Sequence, residues 1–284
     1  MNTLDGRRPE LRQIQLCQLD ILKAVKRICQ KHGLVYYLSS GTLLGAVRHQ
    51  GFIPWDDDVD IEMPYRDYVR FLLLAQEELG EAFFVQNSDT EPDFNRLYTK
   101  IRKNDTVMLL PDEVGLPGNH GVWIDIFPQI HVLGKADLKL KKLAASACNF
   151  LQMTDEVYAL ICRTAAGEKR SAAVRIRDLS RKLPVPLRKK LADLLKAFLF
   201  RFPRSGRTVG FVWGNISKLR PDSVYGSGTT LTFEGESFVV PADYDRYLRI
   251  GYGDYMQLPP EEERGGHWAT EIKLDREYRD VPAE

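Results

Sequence analysis

Trp55-Asp56-Asp57-Asp58-Val59-Asp60-Ile61-Glu62-Met63 is the stretch on which the reading of this chain turns. Side chains of a strand alternate between two faces with a period of two. Asp58, Asp60 and Glu62 therefore share one face, and Val59, Ile61 and Met63 share the other. The second face is apolar and belongs to a core. Carboxylates crowded on the first face repel one another unless a cation lies between them. Mg²⁺ takes oxygen ligands and keeps its remaining positions for water and substrate phosphates. The strand thus suits an enzyme that holds a phosphorylated donor. A solvated acidic loop is the plainer reading, but the flanks Phe52, Ile53 and Trp55 are apolar. An EF-hand loop is excluded: counted from Asp56, its sixth position should be Gly and its twelfth Glu, and these are Ile61 and Asp67.

Upstream, apolar residues recur at helical spacing from Pro9 to Lys31, and Gly33 stops that helix. Leu34–Leu38 reads as a short strand. Ser39-Ser40-Gly41-Thr42 then turns the chain into a helix over Leu43–Arg48, which Gly51 and Pro54 break. Small residues at a strand-to-helix turn let backbone amides approach a phosphate. The Asp-rich strand itself is expected over Asp58–Met63. Downstream, Pro64 opens a helix that runs to Leu79 and stops at Gly80. Strands are expected over Phe83–Gln86, Arg96–Arg102 and Thr106–Leu110, and a loop over Asp112–His120.

Val122-Trp123-Ile124-Asp125-Ile126-Phe127 reads as a buried strand with one carboxylate in its middle. An unpaired buried carboxylate costs several kcal/mol, so Asp125 should be paired or metal-bound. Either a structural partner holds it, or this strand lies beside Asp58–Met63 and Asp125 joins Asp58 and Asp60 in one cluster.

The remaining sequence separates by charge. Residues 135–207 hold 18 Lys and Arg against 6 Asp and Glu, an excess of +12 in a chain whose total is +1. A basic helical segment therefore interrupts an acidic body. In it Leu187, Leu191, Leu194, Leu195, Phe198 and Phe202 form one helical face, with Arg188, Lys189, Lys190, Lys196 and Arg201 beside it. Such a face suits peripheral contact with an anionic membrane through residues 187–202, or packing on the protein's own core. It lacks interleaved aromatics and any recognised nucleic-acid module, so no nucleic-acid partner is expected. Tyr225–Val240 is mixed, Pro241–Gly251 reads as a short helix, and a Tyr-rich tail follows. Cys17, Cys29, Cys148 and Cys162 form no CxxC pair and read as reduced thiols. No apolar run is long enough to span a bilayer, and no secretory signal is visible. The expected location is cytoplasmic, with the inner face of the membrane as a peripheral site.

The stretch from Leu38 through Ser39-Ser40-Gly41-Thr42, Gly45-Ala46-Val47-Arg48-His49-Gln50-Gly51-Phe52-Ile53-Pro54 and Trp55 to Ile61 strongly resembles the core motif of the LicD family. That family includes bacterial phosphocholine transferases and the fukutin-related proteins, within the nucleotidyltransferase-fold superfamily. The resemblance continues at Tyr98-Thr99-Lys100-Ile101-Arg102, at Ile124–Pro128, and at Val240–Asp245, Tyr252–Met256 and Pro259-Pro260. It implies an α/β (α+β) fold: a nucleotidyltransferase-like mixed sheet flanked by helices, with a helical basic insertion. Residues 1–134 would hold the catalytic core, 135–208 the basic segment, and 209–284 the part completing the same domain.

The resemblance also assigns roles. Asp58 and Asp60 become the metal pair and Asp125 the third carboxylate, with Mg²⁺ as cofactor and Mn²⁺ as the alternative. Ser40, Gly41 and Thr42 stand near the donor phosphates, and Arg48 lies in the motif. Lys100 and Arg102, on one strand face by alternation, meet phosphate oxygens. Only His267-Trp268 stands where many members carry paired histidines, so no role passes to His267. The reaction implied moves a phosphoalcohol, phosphocholine first, from a CDP-activated donor to a sugar hydroxyl of a free or lipid-linked glycan. Choline would want an aromatic cage, for which Tyr244, Tyr247, Tyr252, Tyr255 and Trp268 supply rings. A GT-A glycosyltransferase using Asp58-Val59-Asp60, and a non-catalytic scaffold, are the competing readings.

Overall fold

The computed structural model describes residues 8–164, 178–200, 207–209, 219–266 and 269–275. In chain order its first half runs α1 (Arg8–His32), β1 (Tyr37–Leu38), α2 (Ser40–His49), β2 (Asp60–Met63), α3 (Tyr65–Leu79), β3 (Phe83–Gln86), β4 (Thr99–Lys103), β5 (Val107–Leu109), β6 (Trp123–Pro128) and β7 (Ile130–Val132). The helices α4 (Lys135–Gln152), α5 (Asp155–Thr164) and α6 (Val185–Leu199) follow, then β8 (Arg207–Val209) and β9 (Arg220–Pro221). The hairpin β10 (Thr229–Phe233) and β11 (Glu236–Val240), α7 (Tyr244–Tyr252) and β12 (Glu271–Lys273) complete it.

The centre is a five-stranded mixed sheet in the order β1-β2-β6-β4-β3. Only β2 and β6 pair in parallel; β1 with β2, β6 with β4 and β4 with β3 are antiparallel. The alternation seen in the sequence sorts the two faces. Val59, Ile61, Met63, Ile101, Ile124 and Ile126 are fully buried in the main core, to which α1 and α3 bring Leu22, Val25, Phe71 and Ala75. The opposite face carries Asp60, Asp125, Lys100 and Arg102. This is the mixed sheet with flanking helices that the sequence led us to expect. Because β1 runs antiparallel to β2, no βαβ crossover leads into the Asp-rich strand, and the unit a GT-A enzyme would use is missing there.

Several elements form where the local pattern put them. The helix after Pro64 runs from Tyr65 to Leu79, with the amides of Asp67 and Tyr68 donating to the Pro64 carbonyl, and ends at Gly80. Others differ in their bounds: the strands expected from Leu34 and Arg96 begin at Tyr37 and Thr99, and the Asp-rich strand expected from Asp58 begins at Asp60, with Asp58 just before it. The helix expected from Leu43 starts three residues earlier, at Ser40. The Glu271–Lys273 strand has no apolar alternation and forms by antiparallel pairing with β5.

The basic segment is a helical layer with a core of its own. Ala144, Ala145 and Cys148 of α4 meet Ala192 and Leu199 of α6, with Leu97 and Ile130 beneath. Lys141 is buried and donates to the carbonyls of His131 and Leu199, closing the end of α6. The amphipathic face read from the sequence divides: Leu195 and Phe198 pack on this core, while Leu187 and Leu194 stay exposed. Phe202 lies outside the described residues. Among the described residues, no helix is long and apolar enough to cross a membrane. Cys29 and Cys148 are buried free thiols and Cys17 a half-buried one.

Arg102 corrects one expectation. It was assigned to phosphate oxygens, yet its guanidinium is fully buried and engaged on three sides. Nε donates to Gln86 Oε1 at 2.8 Å, Nη1 to the Gly121 carbonyl at 2.9 Å, and Nη2 to Glu113 Oε1 at 2.6 Å. Its planar fork fits three acceptors at once, and it stacks 5.0 Å from the Trp123 ring. Arg102 therefore fastens the Asp112–His120 loop to the sheet. Burial pushes the Glu113 carboxyl up, but Arg102, His120 and Lys100 outweigh it and hold the group well below the usual carboxylate range. A depressed carboxyl stabilises the fold above its unfolded pKa, and that contribution fades as pH falls below about 4. Arg102→Met, which leaves Glu113 buried without its partner, is expected to cost about 3–5 kcal/mol of unfolding free energy in urea titrations. The stability gap between wild type and Glu113→Gln is expected to close on acidification. A fully stable Arg102→Met protein would contradict this anchoring role.

Candidate active site

Parallel register places Asp60 of β2 beside Asp125 of β6, and antiparallel register places Asp125 beside Lys100 of β4. The polar face of the sheet thus carries two carboxylates and an ammonium in one row across three strands. Asp125 is buried and held from two sides. The Trp123 indole Nε1, two residues away on the same face, donates to Oδ2 at 3.1 Å, and Lys100 Nζ lies 3.2 Å from Oδ1. The Lys100 contact is an ion pair without hydrogen-bond alignment, since Oδ1 has no partner that meets hydrogen-bond geometry. Lys100 is itself buried, 3.9 Å over the Trp123 ring. Burial lowers its pKa and Asp125 opposes that shift.

Asp60 is the focus of the negative charge. Burial, then Asp58, Asp125 and Asp56, push its carboxyl well above the usual range, and a hydrogen bond from the Ser40 hydroxyl pulls the other way. The Ser40-Gly41-Thr42 turn sits against this strand. The Asp60 amide donates to Thr42 Oγ1 at 2.8 Å, and the Ser39 amide donates to the Asp60 carbonyl at 3.0 Å. Thr42 was expected near donor phosphates; it is buried and its hydroxyl holds α2 to β2. Ser40 has a φ of 47°, a left-handed conformation rare for a side-chain-bearing residue. Gly41 is required by close approach: a Cβ there would lie 2.7 Å from Asp56 Oδ2.

Arg48 lies apart from the carboxylate row. Its Nε donates to His49 Nε2 at 3.0 Å and its Nη1 to the Tyr255 carbonyl at 3.2 Å. Acceptance by Nε2 requires His49 to be neutral, and burial followed by Arg48 lowers the His49 pKa accordingly. Arg264 belongs to the same corner, 4.8 Å over Trp55. Gly266 approaches the neighbouring Asp57 so closely that a Cβ would meet its carboxylate at 2.5 Å. His267 and Trp268, which follow, lie outside the described residues.

Glu62, third on the carboxylate face, is not part of the open site. It is fully buried and accepts hydrogen bonds from the Tyr225 and Tyr247 hydroxyls, both at 2.6 Å. This uses one ring of the expected aromatic cage. Tyr255 donates to Asp245 Oδ1 at 2.8 Å, and Tyr244 packs against the core. Tyr252 is different. It is 39% exposed, and burial together with Asp60, Asp56 and Asp58 raises its hydroxyl pKa. The sequence reading placed Tyr252 among five candidate cage aromatics and did not single it out. The signal that could have separated Tyr252 was its place at the start of the Tyr252-Gly253-Asp254-Tyr255 motif.

Among the described residues, no three carboxylates, imidazoles or thiols close on one point in the manner of a ready metal cage. What the site offers a cation is the Asp58–Asp60 concentration of charge. The crowding that raises Asp60 is relieved when a cation binds, so the residues fit a hard divalent ion that takes its other ligands from water or substrate.

Comparison with known proteins agrees with this arrangement. The model of the LicD/FKTN/FKRP nucleotidyltransferase domain matches residues 33–131, from the end of α1 through β7. The chain is 31% identical over 280 residues to the lipopolysaccharide cholinephosphotransferase LicD of Haemophilus influenzae, covering 93% of this chain and 98% of that protein. It is 36% identical over 89 residues to the ribitol 5-phosphate transferase FKRP of Homo sapiens, 28% of this chain and 18% of that one. With the ribitol-5-phosphate transferase FKTN of Mus musculus it shares 38% over 61 residues, 22% of this chain and 13% of that one. A likeness that runs the length of both chains, together with the family model over residues 33–131, places this protein in the LicD family of phosphoalcohol transferases.

Proposed function

We propose that the protein transfers a phosphoalcohol group, phosphocholine first among the candidates, from a CDP-activated donor to a sugar hydroxyl of a cell-surface glycan. The observation that carries this reading is the row Asp60–Asp125–Lys100, which sets two carboxylates and a fixed ammonium side by side on one sheet face. Phosphoryl-type transfer asks a protein mainly for positioning and charge neutralisation. Asp58 and Asp60 would hold Mg²⁺ or Mn²⁺, which when bound neutralises the donor diphosphate and favours departure of CMP. Lys100 adds fixed positive charge where phosphate oxygens arrive. Asp125, oriented by Trp123 and Lys100, takes the proton of the acceptor hydroxyl. Phosphocholine is preferred because the relative of matching length is named a cholinephosphotransferase.

Asp58→Asn or Asp60→Asn is expected to reduce transfer by about 10³-fold or more, since a divalent ion contributes several kcal/mol to such a transition state. Asp60→Asn should keep or raise the melting temperature, because it removes one of the repelling charges. Near-normal turnover in either variant would sink the metal assignment. CMP release should occur with one of CDP-choline, CDP-ethanolamine, CDP-glycerol or CDP-ribitol, stop on chelation, and return with Mg²⁺ or Mn²⁺. Turnover of a UDP- or GDP-sugar alone would favour the glycosyltransferase reading.

A lipid-linked acceptor is supported by the helical layer. Leu140 and Leu143 on α4 and Leu187 and Leu194 on α6 are exposed in the most basic part of the chain. Arg188 is buried and bonds the Met153 carbonyl, so the exposed Lys189 and Lys190 are the residues to reverse. Binding to acidic liposomes is expected to weaken with salt and to be lost in K189E/K190E. No binding by the wild type would remove the membrane contact from the proposal.

A further inference from the structure

The match to the family model ends at residue 131, yet Glu62 of β2 is bound by side chains from residues 220–247. Glu62 lies two residues beyond Asp60 on the same strand face, and its carboxylate is completely buried. Tyr225 donates to Oε2 and Tyr247 to Oε1. Arg220 is also buried there, 3.9 Å from Oε1 and 3.9 Å over the Tyr247 ring. A buried carboxylate with two short hydroxyl donors and a nearby guanidinium is held in one geometry.

The two tyrosines are not equivalent. The Tyr247 hydroxyl, having given its proton to Glu62, accepts the Ser40 amide at 3.4 Å. Among the described residues no backbone amide donates to the Tyr225 hydroxyl; its ring packs against Tyr37 at 5.3 Å and Tyr247 at 6.0 Å. Ser40 is the residue at φ 47°, and its neighbours hold the Asp60 backbone: the Ser39 amide donates to the Asp60 carbonyl at 3.0 Å, and the Asp60 amide donates to Thr42 Oγ1 at 2.8 Å. A left-handed non-glycine residue persists only where its surroundings over-determine it, and such residues gather at functional sites. The chain of contacts therefore runs Glu62, Tyr247, the Ser39–Thr42 turn, Asp60, and it begins and ends on β2.

We infer that Tyr247 is a positioning residue for the transfer reaction: locked by Glu62, it holds Ser40 in its left-handed conformation so that the turn seats the Thr42 hydroxyl on the Asp60 amide and fixes Asp60. This rests on Asp60 being at the reacting centre, as proposed above. It also gives residues 220–247 a part in the site, which the family domain alone does not contain.

Tyr247→Phe and Tyr225→Phe separate this role from plain stability. Each removes one hydroxyl from Glu62 and keeps the ring, so both should lose a similar amount of thermal stability. Only Tyr247→Phe takes the acceptor from the Ser40 amide. Hydrogen exchange at that amide is expected to rise about tenfold or more in Tyr247→Phe and to stay at the wild-type rate in Tyr225→Phe. Tyr247→Phe should lower kcat about 10- to 100-fold at little-changed KM, the scale of a small misplacement, while Tyr225→Phe stays near wild type. Thr42→Val combined with Tyr247→Phe should be no slower than Thr42→Val alone. Equal losses of turnover in the two tyrosine variants, or unchanged exchange at Ser40 in Tyr247→Phe, overturn the inference. If the wild type turns over no CDP-alcohol, the functional proposal fails, and exchange at Ser40 alone then decides the relay.

Discussion

The parallel pairing of β2 with β6 is the constraint on which the site depends. It sets Asp60 opposite Asp125 on adjacent strands, where two carboxylates repel. The fold accepts that cost through neighbours rather than by separating them. Lys100 and the Trp123 indole attend Asp125, and the Ser40 hydroxyl attends Asp60. Asp58 and Asp56 add to the load, and among the described residues no Lys or Arg forms an ion pair with Asp60 to offset it. An arrangement that keeps uncompensated charge on a rigid strand is destabilising by itself, and enzymes commonly carry such strain where a ligand relieves it.

The same sheet face shows how one polar row can hold three different roles. Lys100 and Arg102 alternate onto one face of β4, but they meet different environments. Lys100 stands opposite Asp125 in the middle of the site, while Arg102 lies one pair further along, under the Asp112–His120 loop. On β2, Asp60 meets the site, and Glu62, one pair further, meets the tyrosines of the C-terminal region. A step of two residues, about 7 Å along a strand, is enough to pass from chemistry to scaffolding.

The C-terminal region and the helical layer attach to this core in different ways. Residues 220–252 reach the catalytic strand through buried polar contacts and bring Tyr252 toward the acidic group. The helical layer joins through small apolar residues and through Phe200, which stacks on Tyr65 at 4.2 Å.

By itself the sequence determined the elements with strong local signals. Alternation from Val59 to Met63 fixed which face of β2 is core, Pro64 and Gly80 bounded α3, and one carboxylate inside Val122–Phe127 marked Asp125 as needing a partner. The family motif supplied the transferase reading. Only the tertiary structure decided which partner each polar residue found. Periodicity places a side chain on a face, but strand register and the loops that cover that face set what it meets. For that reason Arg102 could be seen as lying beside Lys100 in pattern and not as bound to Glu113, and Thr42 as part of a turn and not as an anchor for the Asp60 amide. Glu62 likewise read as a third carboxylate of the Asp-rich strand. More than 160 residues of intervening chain separate it from the tyrosines that bury it, and only folding brings them together.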